Sequence, residues 1–326
     1  MRYAGRTILV GLLLTALGCA PHAVREPSPR VNRNESQGPV SSDASNATEP
    51  PIYSDSEAAC YGSGGKYIGD MKCQSADGSV TQILSGADAA RARMTSIPVP
   101  ARTPHSWVLA TTAITFEYDG YRHDLLAGEA ATPESIAKGK DLLSRWWSIS
   151  SRDDLLHMLN WLQFEGHRKQ FEELGRRVTA MTDAQFTRAI GELQTSADQL
   201  HQVQIVRQYY PALGSKSILA WDLIRYVSLC RWGYLVGYIS ETEAWNRMMP
   251  AALRLQETFD SWQDAQSDFL IGREFWSKGQ SMQSDSSFRE IYERLSRESA
   301  SPWNTNPWDM DLHVATPLSI ANGAAE

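Results

Sequence analysis

The sequence predicts an all-α protein: one multi-helix globular domain of about seven or eight helices, preceded by a small disulfide-closed segment and a disordered tether. Three observations carry this. Helix-start signals, a Ser or Thr followed by proline or by an acidic residue or glutamine three positions on, recur between Thr132 and Ser287. The apolar residues behind them return at three- and four-residue spacing instead of alternating. All eleven tryptophans lie between Trp107 and Trp308, a stretch of roughly 200 residues that is long enough for a single buried core.

Taken in order, Trp107 to Tyr118 mixes Thr with aliphatic residues and fits either a strand or a first helix. Thr132-Pro133 opens a helix carrying Ile136, Leu142, Leu143, Trp146 and Trp147. Ser151 opens the next, with Leu155, Leu159 and Leu162 on one face, and Gly166 is expected to stop it. Thr182 and Gln185 form a capping box ahead of Phe186, Ile190 and Leu193; Ser196 and Gln199 repeat the device, and Pro211 is expected to end that helix. Ile218 to Tyr238 is the most apolar segment and reads as the central helix. Ser240 caps a helix with Pro250 in its middle, where a kink is expected. Ser261 and Ser287 start two more.

The first eighteen residues read as a leader. Arg2 and Arg6 precede an apolar run, Ile8 to Leu17, that in a helix spans about 15 Å, roughly half of a bilayer's hydrocarbon core. The run ends in Ala16-Leu17-Gly18-Cys19, which resembles the lipobox of bacterial lipoproteins, departing from it at Ala16, where that pattern prefers a branched aliphatic. The resemblance implies acylation of Cys19 and anchoring in the lipid bilayer. Ala20, where inner-membrane retention is associated with aspartate, implies the outer membrane, facing the periplasm. An ordinary signal peptide cleaved near Ala20 is the alternative. Residues 19–57, rich in Pro, Ser, Asn and Glu, read as the tether.

Residues 58–100 hold a small module and linker. Cys60 and Cys73 bound a glycine-rich stretch, and in an oxidising compartment they are expected to pair. Tyr67-Ile68 and Val80 to Leu84 are expected to form a small strand pair inside that clasp. Gly62 to Lys66 does not complete a phosphate-binding loop, because Cys60 and Tyr67 stand where that motif needs Gly and Ser or Thr. The remaining Cys230 sits in apolar sequence, as a small buried hydrophobe does.

Across residues 105–310 a set of motifs recurs in order. Trp147-x-Ile149-x-Ser151-Arg152, Trp161-Leu162 and Gly166-His167-Arg168 open it. Trp221-Asp222-x-x-Arg225, Arg231-Trp232-Gly233-Tyr234, Gly237-Tyr238-Ile239-Ser240 and Glu243-Ala244-Trp245 form its centre. Ser261-Trp262, Gly272-Arg273-x-Phe275-Trp276, Pro302-Trp303 and Pro307-Trp308 close it. This stretch resembles the domain-of-unknown-function family 1266, which implies a helical domain and no particular reaction. Residues 311–326 are left as a tail.

The chemistry-bearing spacings are sparse. His-Glu-x-x-His, Gly-x-Ser-x-Gly and Cys-x-x-Cys do not occur, and no metal site or cofactor is called for. Asp222 and Arg225, three apart, share a helix face. They read either as an ion pair fixing the central helix or as part of a polar cluster with His167, with Glu165, His167 and Asp222 as conceivable acid and base. Arg273 and Trp276 are candidate binding residues, with Arg273 alternatively covering apolar surface with its stem. A net charge of −7 argues against nucleic acid as a partner. The expectation is therefore an envelope-held binding or interaction module with a protein or cell-wall partner, including a periplasmic immunity-type protein. The alternatives are a cell-wall hydrolase or glycan binder with a Trp-rich cleft, and a purely structural envelope lipoprotein.

Overall fold

The computed structural model describes residues 66–68, 72–82, 96–192, 197–277 and 282–313. Cys19, Cys60, the leader, the tether and the last residues of the tail lie outside them. Around Cys73 three short strands, β1 (Lys66–Tyr67), β2 (Lys72–Gln74) and β3 (Val80–Gln82), form an antiparallel meander, with Tyr67 opposite Cys73 and Cys73 opposite Thr81. The expected two-strand pairing is thus corrected. Residues 72–74 insert as the middle strand, and Gly78, at φ +83°, allows the turn that brings β3 back.

The rest is helical: α1 (Pro104–Thr111), α2 (Ala113–Tyr118), α3 (Pro133–Trp147), α4 (Arg152–Phe164), α5 (Gly166–Thr179), α6 (Asp183–Glu192), α7 (Ala197–Leu213), α8 (Leu219–Leu235), α9 (Glu241–Thr258), α10 (Trp262–Ser277), α11 (Met282–Arg297) and α12 (Pro302–Thr305). The Trp107–Tyr118 run is helical because the hydroxyls of Thr111 and Thr112 donate back to the carbonyls of Val108 and Leu109, satisfying groups that would otherwise compete with the helix. Capping boxes at Thr132/Ser135 and Thr182/Gln185, and caps by Ser151, Ser240 and Ser261, stand where their spacing places them.

Gly166 ends α4 as expected, turning the chain at φ +62°, and α5 starts there at once. Two expected boundaries move. Pro211 lies inside the last turn of α7, where little helix remains for its missing N–H to weaken. Ser287 lies within α11, which starts at Met282.

Helix α8 is the axis of the domain. Every residue from Leu219 to Leu235 is buried, and α1, α3, α4, α5, α9 and α10 all pack on it. Arg231 is wholly buried there. It donates from Nε to the carbonyl of Leu126 (2.9 Å), from Nη2 to those of Leu125 (2.8 Å) and Arg122 (3.4 Å), and from Nη1 to the Leu109 carbonyl (3.4 Å) and the Thr112 hydroxyl. Its guanidinium also lies over the Phe116 ring, so one cation fastens the 119–131 loop to the axis.

That loop begins at half-buried Asp119, where burial raises the carboxyl pKa from 3.8 to about 6 against the opposing pull of Lys138 and Arg273. The folded state then holds a proton that the unfolded chain has lost, so stability falls as pH climbs from 3.8 towards 6 and stays reduced above it. Asp119→Asn is expected to raise the melting temperature at about pH 7.5 but hardly at about pH 4, with a gain of roughly 3 kcal/mol at most. Equal effects at the two pH values in thermal melts would contradict the assignment.

Candidate functional site

Asp222 lies one turn into α8 and has no exposure to solvent. Its Oδ1 accepts the backbone N–H of His167 (2.9 Å), and its Oδ2 accepts the backbone N–H of Arg168 (3.1 Å) and Nη1 of Arg168 (3.0 Å). The two amides belong to the first turn of α5, where backbone donors have no partner within the helix. The residue at the local cap position, Glu165, supplies no side-chain acceptor. Asp222 therefore caps α5 from another helix, and its negative charge suits the positive end of the helix dipole.

Arg168 completes the joint. Its Nη1 also donates to the Leu162 carbonyl and its Nη2 to that of Gln163, both at 2.7 Å, which closes the carboxyl end of α4. Gly166 makes the approach possible. It sits at φ +62°, and a Cβ there would fall 2.0 Å from Oδ2 of Asp222. No other residue type fits that corner without displacing the carboxylate.

A second buried carboxylate does the same for α8. Asp268 on α10 is 2% exposed, and its Oδ1 accepts the N–H of Ala220 at 2.8 Å, while Oδ2 has no hydrogen-bond partner among the described residues. Burial drives its pKa well above the usual carboxylate range, with the Ala220 and Trp221 amides opposing.

The expected Asp222–Arg225 pair is not what the side chains make. Nη1 of Arg225 lies 3.0 Å from Nδ1 of His167. Because a guanidinium only donates, Nδ1 accepts and its lone pair faces Arg225. The guanidinium carbon is 4.1 Å from the ring centre of Trp147, 4.4 Å from that of Trp221 and 5.8 Å from that of Trp276. Burial lowers the pKa of Arg225 to about 9; Asp222 opposes this and Arg273 adds to it, and the group remains a cation at neutral pH. The physical reason for the different partner is reach: a long side chain one turn on clears Asp222, whose oxygens are already committed to α5.

The other candidates sit apart or play supporting parts. Glu165 is exposed and pairs with Lys169 at 3.3 Å. His167 is partly buried, with its ring edge-on to Trp161 at 5.0 Å. Arg273 lies 4.4 Å over Phe288 and 5.4 Å over Trp276, covering apolar surface as one of its two readings had it. His167, Asp222, Arg225 and Trp276 are thus brought together, while Glu165 is turned away to solvent.

A concave feature lies elsewhere among the described residues, between α7, α10 and α11. It is a cleft of about 250 Å³ lined by Tyr209, Ser267, Leu270, Ile271, Arg289, Tyr292 and Glu293. Sequence reasoning missed it, because these residues come from three helices and share no spacing; only the two tyrosines on partly polar faces hint at it.

The fold and this joint define a class, an all-α domain whose Gly-His-Arg corner is locked to a Trp-Asp-x-x-Arg helix. The chain matches the family described as "Protein of unknown function (DUF1266)" over residues 142–308, just over half of its length, and it belongs to that family. It is similar to two proteins of Escherichia coli (strain K12). "Uncharacterized protein YbeR" is 27% identical over 134 residues, which cover 41% of this chain and 56% of YbeR. "Uncharacterized protein YbeU" is 25% identical over 192 residues, which cover 55% of this chain and 80% of YbeU. The chain thus spans little more than half of the length of YbeR. No solved structure matches it.

The geometry sets a stability order for this helix face. Asp222→Ala strands the α5 amides and leaves Arg168 without its carboxylate, so a loss of about 3–5 kcal/mol is expected. Gly166→Ala is expected to be comparably harmful. Arg225→Leu orphans no carboxylate and forfeits aromatic contacts worth about 2 kcal/mol. Denaturant unfolding of the three variants checks this, and an Arg225 variant as unstable as Asp222→Ala would refute the assignment.

Proposed function

We propose that this chain is a lipid-anchored envelope protein whose helical domain binds a partner and performs no reaction of its own. One observation carries the non-catalytic part: the carboxylate best placed for acid–base work is spent on structure. Both oxygens of Asp222 are held by the α5 amides and Arg168, and no solvent reaches it. Glu165 is exposed and paired to Lys169, and the carboxylate beside His167, Asp222 at 3.6 Å from Nδ1, is the same group already committed to α5 and Arg168.

Anchoring rests on the leader and Cys19, which lie outside the described residues. Among the described residues no helix is long and apolar enough to cross a membrane. The proposed address is the outer membrane, facing the periplasm, and the proposed partner is a protein, with neutralisation of a toxin delivered to that compartment as one specific form. Glycan binding keeps one supporting feature, the open cleft whose sides include Tyr209 and Tyr292, since flat rings against a cleft suit sugar stacking. Pairing of Cys60 with Cys73 is part of the same proposal, supported by the burial of Cys73 in β2 at 4% exposure.

Metabolic labelling with a fatty-acid probe is the direct test. The wild type is expected to carry the label and sediment with membranes, while Cys19→Ser carries none and is either released or retained as precursor. A wild type without label sinks the anchor. In the same fractions Cys60 and Cys73 should react with thiol reagents only after reduction; reaction of both beforehand in the folded protein removes the pairing. Pull-down from envelope extracts is expected to recover a protein partner, and repeated recovery of glycan alone would transfer the reading to the cleft.

A further inference from the structure

Two arginines on the same buried helix are treated very differently. Arg231 has all its donor groups engaged by four carbonyls and a hydroxyl. Arg225, six residues earlier and also nine-tenths buried, makes a single hydrogen bond to protein among the described residues, to Nδ1 of His167. A guanidinium has five N–H groups, and most of those on Arg225 have no protein acceptor among the described residues. None of its unpartnered nitrogens is sealed from solvent, so its free edge can meet a ligand.

The surroundings restrict what satisfies those donors. Trp147 and Trp221 lie against the guanidinium at 4.1 and 4.4 Å, so indoles take its faces and leave its edge. The nearest acid, Asp222, has both oxygens committed to α5 and Arg168. Arg168 and Arg254 approach the same corner, both donating to the Gln163 carbonyl. Around the guanidinium, the His167 side chain keeps 19% exposure and Trp276 is half-buried.

We propose that the edge of Arg225, between Trp147, Trp221 and Trp276, is a binding site for a carboxylate carried on an apolar or aromatic stem. A planar carboxylate matches the in-line donor pair of a guanidinium, and the indoles supply a dry wall for the stem. The tetrahedral, more heavily hydrated phosphate matches this slot less well. The inference rests on the reading of the domain as a binding module, and it gives that module a ligand chemistry.

The test is a titration of the full chain with phenylacetate, followed by tryptophan fluorescence and by the melting temperature. Phenylacetamide and inorganic phosphate are the comparison probes. Phenylacetate is expected to change the emission of the indoles around Arg225 and to raise the melting temperature, with the neutral amide at least about tenfold weaker. Arg225→Lys, which keeps the charge but loses the paired donors, is expected to weaken phenylacetate about tenfold or more. Should that variant fail to fold, Trp276→Leu on the outer wall serves instead, with the same loss expected.

No response to phenylacetate, equal binding of the amide, undiminished binding by a folded Arg225→Lys protein, or preference for phosphate would each overturn the proposal. Conversion of phenylacetate to a product would instead overturn the binding-module reading while leaving the site in place. Failure of lipid labelling or of the pull-down bears on neither result, since the titration needs no membrane and no protein partner.

Discussion

Much of this structure depends on a rule about helix ends: amides at the start of a helix need an acceptor wherever water is excluded. Because α8 is buried along its whole length, neighbours packed on its amino-terminal half also bury their ends, and local caps do not reach every one. Two aspartates solve the problem across helices. Asp268, from α10, receives the Ala220 amide at the start of α8. Asp222, one turn further into α8, receives the His167 and Arg168 amides at the start of α5. In the series α10, α8, α5, the second and third helices are thus each seated by an acid borrowed from the helix before it.

Arg168 turns this series into a closed joint. It satisfies the last carbonyls of α4, it neutralises Asp222, and its own amide is one of those Asp222 accepts. A buried charge is tolerable when it is paired and hydrogen-bonded, and Asp222 meets both conditions, with three donors on its two oxygens. The Gly166 corner fits the same logic, since the missing Cβ is where the carboxylate oxygen sits. The residue that reads in sequence as a stop signal does end α4, and it is also a clearance for a residue 56 positions away.

That distinction explains what was legible in the sequence. Caps at Thr132, Ser151, Thr182, Ser240 and Ser261 could be read because donor and acceptor lie within three residues of each other. The all-α class and the central helix followed from spacing and apolarity, and the family resemblance from motifs spread across the domain. The start of α5 could not be read, because its acceptor arrives from another helix. The partner of Arg225 was misassigned for a related reason: three-residue spacing places two side chains on one face but does not say that they are free to meet. Asp222 is consumed by α5, and Arg225 reaches beyond it to His167 and the indoles. The cleft between α7, α10 and α11 was invisible because no periodic rule links residues 209, 267 and 292.

The long-range cap also binds the timing of local motions to that of the whole domain. A helix whose first turn is capped by its own Ser or Thr can fray and re-form without disturbing anything else. The amino end of α5 has no such independence, since the acceptor of its His167 and Arg168 amides lies 54 or 55 residues downstream, inside the most deeply buried helix. Exposing those amides means breaking bonds to a carboxylate inside the core, so their hydrogen exchange should be slower than that of ordinary first-turn positions. In folding, closing a loop of this size before the joint forms carries an entropic cost, so α5 gains its full length only once α8 has docked. One glycine and one aspartate thereby make two helices a single cooperative unit.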